Sequence, residues 1–362
     1  MNYNYVIFDD NTDVFYKTTL QDLFGKENIK VYCPLLNDRP KIVQNLFRVH
    51  ISEKTMRYVV LPLKSIWNKY IFSSSFIDDK PICFVFANST YKLRWCGYFE
   101  YLKQNFPGCK LVYYCRDLFD YYKDRYRGFD EEYLKRTFDV ILTYDMLDVI
   151  NHNLVFYPDF ESMVSSDFNQ KHENNKVLFI GQARDRLKLI LDVYHRLTDN
   201  GIPCDFYLTG VDEKLRFEGP GIVFADKWMP YTEVVDKTIK AGCILEIVQE
   251  NTVGYSARAM KAIGYNKRLI TNSIAVKYTR FYDDKNIQYF SNANDIDVMA
   301  LKEKHYPDYH YNNEFSPLRM LDFLDKYFTE KITDDEYYGN WFDLKTYKNE
   351  LLNNKNLWRN KK

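Results

Sequence analysis

Short apolar runs that alternate with helix-like stretches restrict this chain to one class of fold. The first half contains seven runs rich in β-branched or aromatic residues: "YNYVIF", "IKVYC", "RYVVL", "ICFVF", "KLVYYC", "DVILT" and "LVFYP". Several are separated by amphipathic stretches such as "STYKLRWCGYFEYLKQNF", with an apolar residue every three or four positions. Strands that alternate with helices form a parallel sheet with helices on both faces. The pattern therefore predicts an α/β fold.

A polar segment divides this alternation into two halves. Residues 161–175, "ESMVSSDFNQKHENN", lack any periodicity and read as a linker. The alternation then resumes with six further runs: "KVLFI", "CDFYLTG", "GIVFA", "CILEIV", "KRLIT" and "NIQYF". We predict two doubly wound, Rossmann-like domains at 1–165 and 166–330, followed by a helical tail at 331–362. Ligands of such folds bind beyond the carboxyl ends of the strands, so two domains would place a cleft there.

The bulk composition excludes several classes of protein. The chain has 50 basic and 50 acidic residues, so no overall field draws it to nucleic acid or to a membrane. We expect no signal peptide, because "MNYNYVIFDDNTD" has no basic start, and no transmembrane segment, because no apolar run reaches about 18 residues. Seven cysteines without a CxxC pair indicate buried thiols of a reducing compartment instead of a zinc site. These features predict a cytoplasmic protein.

The loop after "KVLFI" combines a glycine with basic residues where a helix begins. Gly181 ends the strand, and Arg184 and Arg186 fall in the first turn of the following helical stretch. Cations at a helix N-terminus oppose the helix dipole, so they need another explanation. A bound phosphate supplies one, because N-terminal amides and arginines both bind anions. A solvated basic turn paired with nearby aspartates is the alternative.

The segment "ENTVGYSARAMKAIGYNKRLIT", residues 250–271, places an acid, a glycine, a hydroxyl and an arginine between two predicted strands. Ser256 stands where it caps the next helix, and Arg258 lies one turn into it, within reach of a phosphate. Gly254 permits a tight turn, and the amides around Tyr255 would face the same ligand.

Two acids end the strand that leads into this segment. Glu246 and Glu250 are placed to accept hydrogen bonds from the hydroxyls of a sugar or ribose. The alternative is structural, with Ser256 acting only as a cap, Glu250 exposed and Arg258 paired with an acid. We expect Arg184→Ala and Arg258→Ala each to weaken nucleotide binding with little loss of stability.

The segments "FIGQARDRLKLILDVYHRLTDNGIPCDFYLTG" and "YTEVVDKTIKAGCILEIVQENTVGYSARAMKAIGYNKRLIT" resemble the donor-binding domain of GT-B glycosyltransferases, above all bacterial enzymes of capsule and surface-polysaccharide assembly. The resemblance covers residues 176–290. It implies that the second domain binds a nucleotide sugar, that the first faces the acceptor, and that the C-terminal helix returns to the first domain. It also implies donor contacts at the residues singled out above: Gly181, Arg184, Arg186, Glu246, Gly254, Tyr255, Ser256 and Arg258.

One departure from the family pattern leaves the stereochemistry open. Many retaining members carry two glutamates eight positions apart, but the eighth position after Glu250 is Arg258, and an alignment through "NKRLIT" gives Lys261. Neither residue is an acid. Either cation would instead offset the charge of the leaving group, which GT-B enzymes neutralise without a metal.

An inverting transfer needs a base that deprotonates the acceptor hydroxyl. Asp10 lies in the acidic loop "FDDNTD", Asp117 follows "KLVYYC" and Asp145 follows "DVILT". Each also stands where it would cap a helix, which is the alternative role. We take Asp10 and Asp117, with Glu250 on the donor side, as the candidate catalytic residues.

These features together predict a transferase that moves a sugar from a nucleotide donor to a glycan or lipid-linked acceptor, with membrane association only peripheral and through the acceptor. No metal or other cofactor is expected, because neither a DxD in a strand-end loop nor a His/Cys cluster is present. Two alternatives stay open. One is a nucleotide-sugar 2-epimerase of the same fold, and the other is a non-catalytic partner that has lost the acids.

Overall fold

The structure of the protein is a computed structural model that describes residues 1–8, 18–34, 36, 39–56, 58, 61–72, 76–125, 129–164, 175–249, 252–254 and 256–354. The strands are β1 Asn4–Phe8, β2 Ile29–Tyr32, β3 Ile82–Ala87, β4 Lys110–Cys115, β5 Val140–Thr143, β6 Val155–Phe156, β7 Val177–Gln182, β8 Cys204–Thr209, β9 Ile222–Ala225, β10 Cys243–Glu246, β11 Arg268–Thr271 and β12 Ile287–Tyr289.

Helices fill most connections between these strands. They are α1 Lys41–His50, α2 Glu53–Met56, α3 Asn68–Ile71, α4 Tyr98–Asn105, α5 Phe119–Arg125, α6 Glu131–Thr137, α7 Met146–His152, α8 Leu187–Thr198, α9 Tyr231–Lys240, α10 Ala257–Gly264, α11 Val298–Lys302, α12 Pro317–Thr329, α13 Asp334–Tyr338 and α14 Leu344–Asn353. Within the described ranges, no helix is long and apolar enough to cross a membrane.

The first unit comprises Met1–Pro158 together with Pro317–Thr333. Its sheet has the order β2-β1-β3-β4-β5-β6, and all of its strands are parallel. The central strands are buried on both faces, which explains their continuous apolar sequences. Aromatic rings fill this core, as in the stacked pair Phe8 and Phe86, whose centroids are 4.8 Å apart.

Helix α12 belongs to the first unit although it lies near the end of the chain. Its inward face buries Met320, Leu321 and Phe323. The hydroxyl of Tyr5 on β1 donates to the carbonyl of Leu321 at 3.0 Å, and the amide of Asn2 donates to Asp325 at 2.5 Å. The amphipathic pattern of this segment is therefore explained by packing against the first sheet, although the segment lies within the range 166–330 predicted for the second domain.

The second unit comprises Asp159–Ser316 and the described residues from Asp334 onward. Its parallel sheet has the order β12-β11-β10-β7-β8-β9. The chain builds one half outward from β7 and then crosses to β10 to build the other half. The order of the strands therefore reverses between β7 and β10, and a doubly wound sheet binds ligands at such a point.

Helix α14 packs on the second unit. The hydroxyl of Tyr347 donates to the carbonyl of Val253 at 2.5 Å, and the Tyr278 ring lies 4.9 Å from that of Tyr347. Just before α14, Phe342 forms an antiparallel bridge with Thr279. These contacts tie the end of the chain to the loops around β11.

Twelve of the thirteen predicted strands are present at their predicted places. Of the thirteenth, "RYVVL", the residues Arg57, Val59 and Val60 lie outside the described residues. Positions 165–174 of the predicted linker lie outside them too. The ranges 1–165, 166–330 and 331–362 differ from the observed grouping in one main respect. The segment grouped with the first unit is Pro317–Thr333, while the tail, expected to pack there, is grouped with the second.

Candidate functional site

The residues singled out in the second domain gather where the strand order of its sheet reverses. Strand β7 ends at Gln182 and β10 ends at Glu246, and these two strands are hydrogen-bonded neighbours. Helix α8 begins shortly after β7, and helix α10 begins after the loop that follows β10. Both loops therefore open at the same edge of the sheet, where the amides of two helix N-termini favour an anion.

Gly181 and Arg258 are brought into direct contact across this edge. The Arg258 guanidinium donates to the carbonyl of Ile180 through Nη2 at 2.7 Å and through Nε at 3.2 Å. It also lies 4.9 Å from the centre of the Phe179 ring. A Cβ at position 181 would stand 2.2 Å from Arg258 Nη2, so only glycine leaves room for the guanidinium. The glycine is needed here for close approach by a side chain of the same unit.

Glu246 is fully buried and organises the start of α10. Its Oε1 accepts hydrogen bonds from the Ser256 amide and from Ser256 Oγ, both at 2.6 Å, and its Oε2 accepts one from Thr271 Oγ1 at 2.5 Å. Burial raises the pKa of this carboxyl, while the three donors and nearby Arg258 oppose that rise. The structure thus gives both oxygens partners within the protein, and the contact of Glu246 with a sugar hydroxyl stays a prediction.

Ser256 caps α10 as predicted. Its Oγ accepts a hydrogen bond from the Arg258 amide at 3.2 Å while donating to Glu246. Gly254 is buried in the preceding loop, and its carbonyl accepts a hydrogen bond from Ser273 Oγ at 3.0 Å. Helix α10 therefore begins at a point fixed by contacts to β10 and to the loop after β11.

Arg184 and Arg186 form the turn between β7 and α8. Arg184 is exposed; its Nε donates to Gln182 Oε1 at 3.0 Å and its Nη1 to Gln249 Oε1 at 2.7 Å. Its φ of 48° lies in the left-handed region, an uncommon conformation for arginine. Arg186 is half-buried and donates to the carbonyls of Gln182, at 3.0 Å, and Ile247. The sequence analysis did not single out Gln182 or Gln249, because an uncharged amide side chain does not stand out in a search for charged residues.

The three arginines place positive charge at this edge of the sheet, and Asp185 and Glu246 offset it in part. Burial lowers the pKa of Arg186, and the charges of Arg258 and Arg184 lower it further. Burial likewise lowers the pKa of Arg258. Arg186 Nε is a buried donor with no partner among the residues that the structure describes. A bound anion would oppose these shifts, because an opposite charge nearby favours the protonated form of a base.

A buried cluster one turn further along α10 was not found from the sequence. Lys261 Nζ lies 3.6 Å from Glu161 Oε1 and 4.8 Å from the centre of the Tyr231 ring, whose hydroxyl donates to the same carboxylate. Burial lowers the pKa of Lys261. Lys261, one of two candidates to offset leaving-group charge, therefore already has an anionic partner. The sequence did not point to this ion pair, because Glu161 lies in the polar stretch that was interpreted as a linker.

The remaining candidate residues lie elsewhere or outside the described ranges. Asp117 is half-buried in the first unit, just beyond the carboxyl end of β4. Asp10, Glu250 and Tyr255 lie outside the described residues. In the part of the chain that the structure does describe, no three His, Cys, Asp or Glu side chains form a group that could hold a metal ion.

Comparison with known proteins identifies the fold. No family model and no curated protein matches the chain. Among solved structures it is similar to an alpha-glucosyltransferase in complex with UDP and a 13-mer DNA containing a central A:G mismatch, with a TM-score of 0.50 and 12% identity over 89% of this chain and 98% of that chain.

Two further structures show similarity at lower scores. An alpha-glucosyltransferase in complex with UDP-glucose and DNA containing an abasic site has a TM-score of 0.47 and 12% identity over 89% of this chain and 99% of that chain. An alpha,alpha-trehalose 6-phosphate synthase from Burkholderia multivorans has a TM-score of 0.44 and 7% identity, covering 82% and 87%. The two six-stranded parallel sheets, together with the similarity at a TM-score of 0.50, show two Rossmann-like units of the GT-B fold.

Proposed function

We propose that this protein is a glycosyltransferase that takes a sugar from a nucleotide-sugar donor. The donor diphosphate would bind at the edge of the second sheet formed by the ends of β7 and β10. The GT-B fold supports this proposal, and the similar alpha-glucosyltransferase complex contains UDP, which makes a uridine diphosphate sugar the first donor to test.

The observation that carries the proposal is the group of three arginines at the point where the strand order reverses. Arg184 is exposed there, Arg186 Nε has no partner among the described residues, and the Arg258 guanidinium donates to the carbonyl of Ile180. Three cations and two helix N-termini at one edge match a ligand with two adjacent phosphates.

The same arginines would serve the reaction as well as binding. When the bond between the sugar and the diphosphate breaks, negative charge grows on the leaving phosphate oxygen. Guanidinium groups that already occupy fixed positions stabilise this charge without reorganising during the reaction. Asp10, Asp117 and Glu250 are the proposed acids and bases, and a base among them would take the proton of the acceptor hydroxyl.

For the acceptor we propose a glycan or a lipid-linked saccharide, as in the assembly of bacterial surface polysaccharides such as capsule or lipopolysaccharide. The transfer would take place in the cytoplasm without a metal ion, and a lipid-linked acceptor would bring the enzyme to a membrane surface. The exact chain-wide balance of 50 basic and 50 acidic residues favours such an acceptor over nucleic acid.

The proposal is tested by measuring UDP-glucose and UDP affinity by calorimetry for the parent and for Arg184→Gly. Glycine suits the left-handed backbone at position 184, so this variant removes the side chain without adding strain. Loss of a charge-assisted contact worth about 1.5–3 kcal/mol should weaken binding by about tenfold or more. Arg196→Ala, at the other end of α8, is the matched control and should bind as the parent does.

Parent-like affinity of Arg184→Gly would remove Arg184 from the donor site. A panel of nucleotide sugars then separates the functions that share this fold. Release of nucleotide that depends on an acceptor identifies a transferase, and an isomerised sugar formed without acceptor identifies a 2-epimerase. Failure of every nucleotide to bind would contradict both and favour a non-catalytic partner.

A further inference from the structure

Helix α1 of the first unit has two apolar faces. Its inward face buries Phe47, and Ile51 immediately after the helix is buried too. On the opposite side, Ile42, Leu46 and Val49 are 71%, 53% and 46% exposed. Their spacing of four and three residues places them along one stripe of the helix. A helix that packs on one side of a protein normally carries polar residues on the rest of its surface, but here the exposed Lys41, Asn45 and Arg48 share that surface with the apolar stripe.

The segment beside α1 extends the exposed apolar surface. The Trp67 ring lies 5.4 Å from that of Phe47, and its Nε1 donates to His50 Nδ1 at 2.9 Å. This segment exposes Leu63, Ile66 and Tyr70. We call these three residues and the α1 stripe the apolar surface.

The two segments that carry the apolar surface are packed into the core of the first unit through their inward side chains. Phe47, Ile51, Trp67 and Ile71 from the same two segments are all part of the first unit's hydrophobic core. The outward side chains lie outside this core. A single exposed aliphatic residue is ordinary, but six in one region indicate a surface that contacts something apolar.

Charge identifies the kind of partner. Residues 39–72 contain seven lysines and arginines and one acid, Glu53, although the whole chain is neutral. Lys41 and Arg48 stand on α1 itself, and the Arg39 guanidinium lies 5.7 Å from the Tyr70 ring. Basic residues around exposed aliphatic ones match an anionic lipid surface, which offers negative headgroups above an apolar interior. Nucleic acid offers the phosphates but no apolar layer for Ile42 and Leu46.

We propose that the apolar surface inserts into the headgroup region of an anionic lipid bilayer, with the basic residues of 39–72 pairing with lipid headgroups. Attachment of this kind is peripheral and reversible, and it weakens as salt screens the charges. The inference concerns a binding surface and stands independently of sugar transfer. It would place the first unit at the membrane, where a lipid-linked acceptor is found.

The test is co-sedimentation of the full chain with vesicles of phosphatidylcholine alone and of phosphatidylcholine mixed with phosphatidylglycerol, without donor or acceptor. We expect binding to the anionic vesicles only, decreasing with salt. The triple variant Ile42→Ser, Leu46→Ser, Val49→Ser should bind about tenfold more weakly, because apolar area in the bilayer is lost. The double variant Lys41→Gln, Arg48→Gln should show a similar loss at low salt.

The matched control replaces three exposed apolar residues of the second unit, Leu215→Ser, Val223→Ser and Met299→Ser, and should bind as the parent does. Thermal unfolding of each variant verifies that it is folded. Absence of parent binding, or undiminished binding by the α1 variants, would overturn the proposal. The proposal would also be overturned if the parent bound duplex DNA and not vesicles, or if it formed a dimer that the triple variant abolishes and did not bind vesicles. Because UDP affinity is measured separately, these outcomes leave the sugar-transfer proposal intact.

Discussion

Arg258 has a structural task that its place in the sequence does not reveal. Its guanidinium holds the Ile180 carbonyl and lies against Phe179, in space that Gly181 leaves open. The sequence suggested that Arg258→Ala would spare stability, but the variant would leave that carbonyl without its donor and part of the sheet edge unfilled. Any loss of nucleotide affinity would then mix two causes. Arg184 separates them, because its side chain is exposed.

Asp148 shows how a single buried carboxyl couples stability to pH. Its Oδ2 accepts hydrogen bonds from the Phe119 amide and from Thr143 Oγ1, both at 2.9 Å. Burial, reinforced by the charge of nearby Asp145, raises its pKa to about 7, whereas an aspartate in an unfolded chain has a pKa of about 3.9. The fold therefore favours the protonated form, and its contribution to stability is present below pH 4 and lost as pH rises through 7.

We predict that Asp148→Asn removes this loss, because the carboxamide oxygen accepts the same hydrogen bonds without ionising. Between about pH 4 and pH 7 the unfolding free energy of the parent should fall relative to that of the variant, by an amount on the order of 4 kcal/mol. Urea unfolding at a series of pH values measures the difference. The control is Asp322→Asn, which removes an exposed pair with Lys326. The difference in unfolding free energy between this variant and the parent should change little with pH. Parallel pH profiles for the parent and Asp148→Asn would contradict the assignment.

At the scale of the element, the start of α10 depends on a carboxylate that belongs to another strand. Ser256 caps the helix, but its position is fixed by Glu246 at the end of β10, and Glu246 is fixed in turn by Thr271 at the end of β11. This chain of hydrogen bonds joins two strands to one helix. It holds the Arg258 backbone, and with it the guanidinium, at the edge where β7 ends.

We predict that Ser256→Ala lowers the unfolding free energy by about 1–3 kcal/mol. The substitution removes the helix cap and one donor to a buried carboxylate. Urea unfolding at neutral pH measures the loss. The variant should also weaken UDP binding, because Arg258 is then less firmly placed.

The matched control for this element is Ser291→Ala. Its hydroxyl makes only a 3.4 Å contact with Tyr289 on the surface, so its unfolding free energy should stay within about 0.5 kcal/mol of the parent's. If Ser256→Ala unfolds at the parent's urea midpoint, the hydrogen-bond chain does not determine where α10 begins.

At the scale of the whole molecule, the strands could be predicted because each is a local feature. A run such as "KLVYYC" needs no partner to identify it, and it forms β4 where expected. The order of the strands depends on distant pairings that no local pattern contains. Amphipathicity likewise predicts that a helix packs against something, but it does not indicate against which sheet. The sequence therefore did not show that α12 packs on the first unit and the tail helix α14 on the second.

The site shows the same division between local and tertiary information. The cap at Ser256 follows from residues next to it in sequence. The contact between Arg258 and Gly181 joins positions far apart in the chain, so the sequence predicted both residues as ligand contacts without showing that they touch each other. The same holds for Glu246, which the sequence predicted as a ligand contact. Its hydrogen bond from Thr271, a residue of the later strand β11, cannot be seen in the sequence.

The proposed sugar transfer should proceed without a divalent cation. A diphosphate leaving group needs its charge offset, and transferases do this either with a bound Mg²⁺ or with fixed protein charges. Here Arg184, Arg186 and Arg258 stand together at the proposed donor site. We therefore predict that nucleotide release in the presence of acceptor continues at the parent rate in excess EDTA. A strict requirement for Mg²⁺ or Mn²⁺ would contradict this mechanism and direct attention to the acidic loop at Asp9, Asp10 and Asp13, which lies outside the described residues.

The two mechanisms also differ in what a metal ion does for a damaged site. If the arginines supply the charge, the slower reaction of Arg184→Gly should stay slow when Mg²⁺ is added, because the described residues at this edge of the sheet include no group of His, Cys, Asp or Glu side chains that could hold the ion. If instead a metal ion bound by the acidic loop supplies the charge, Arg184→Gly should lose donor affinity but regain its rate at saturating donor with Mg²⁺. The experiment compares kcat and KM for nucleotide release in EDTA and in Mg²⁺, with Arg196→Ala as the control that both mechanisms leave unchanged. A recovery of kcat in Arg184→Gly with Mg²⁺ would therefore show that the cation, and not the arginine cluster, offsets the charge of the leaving group.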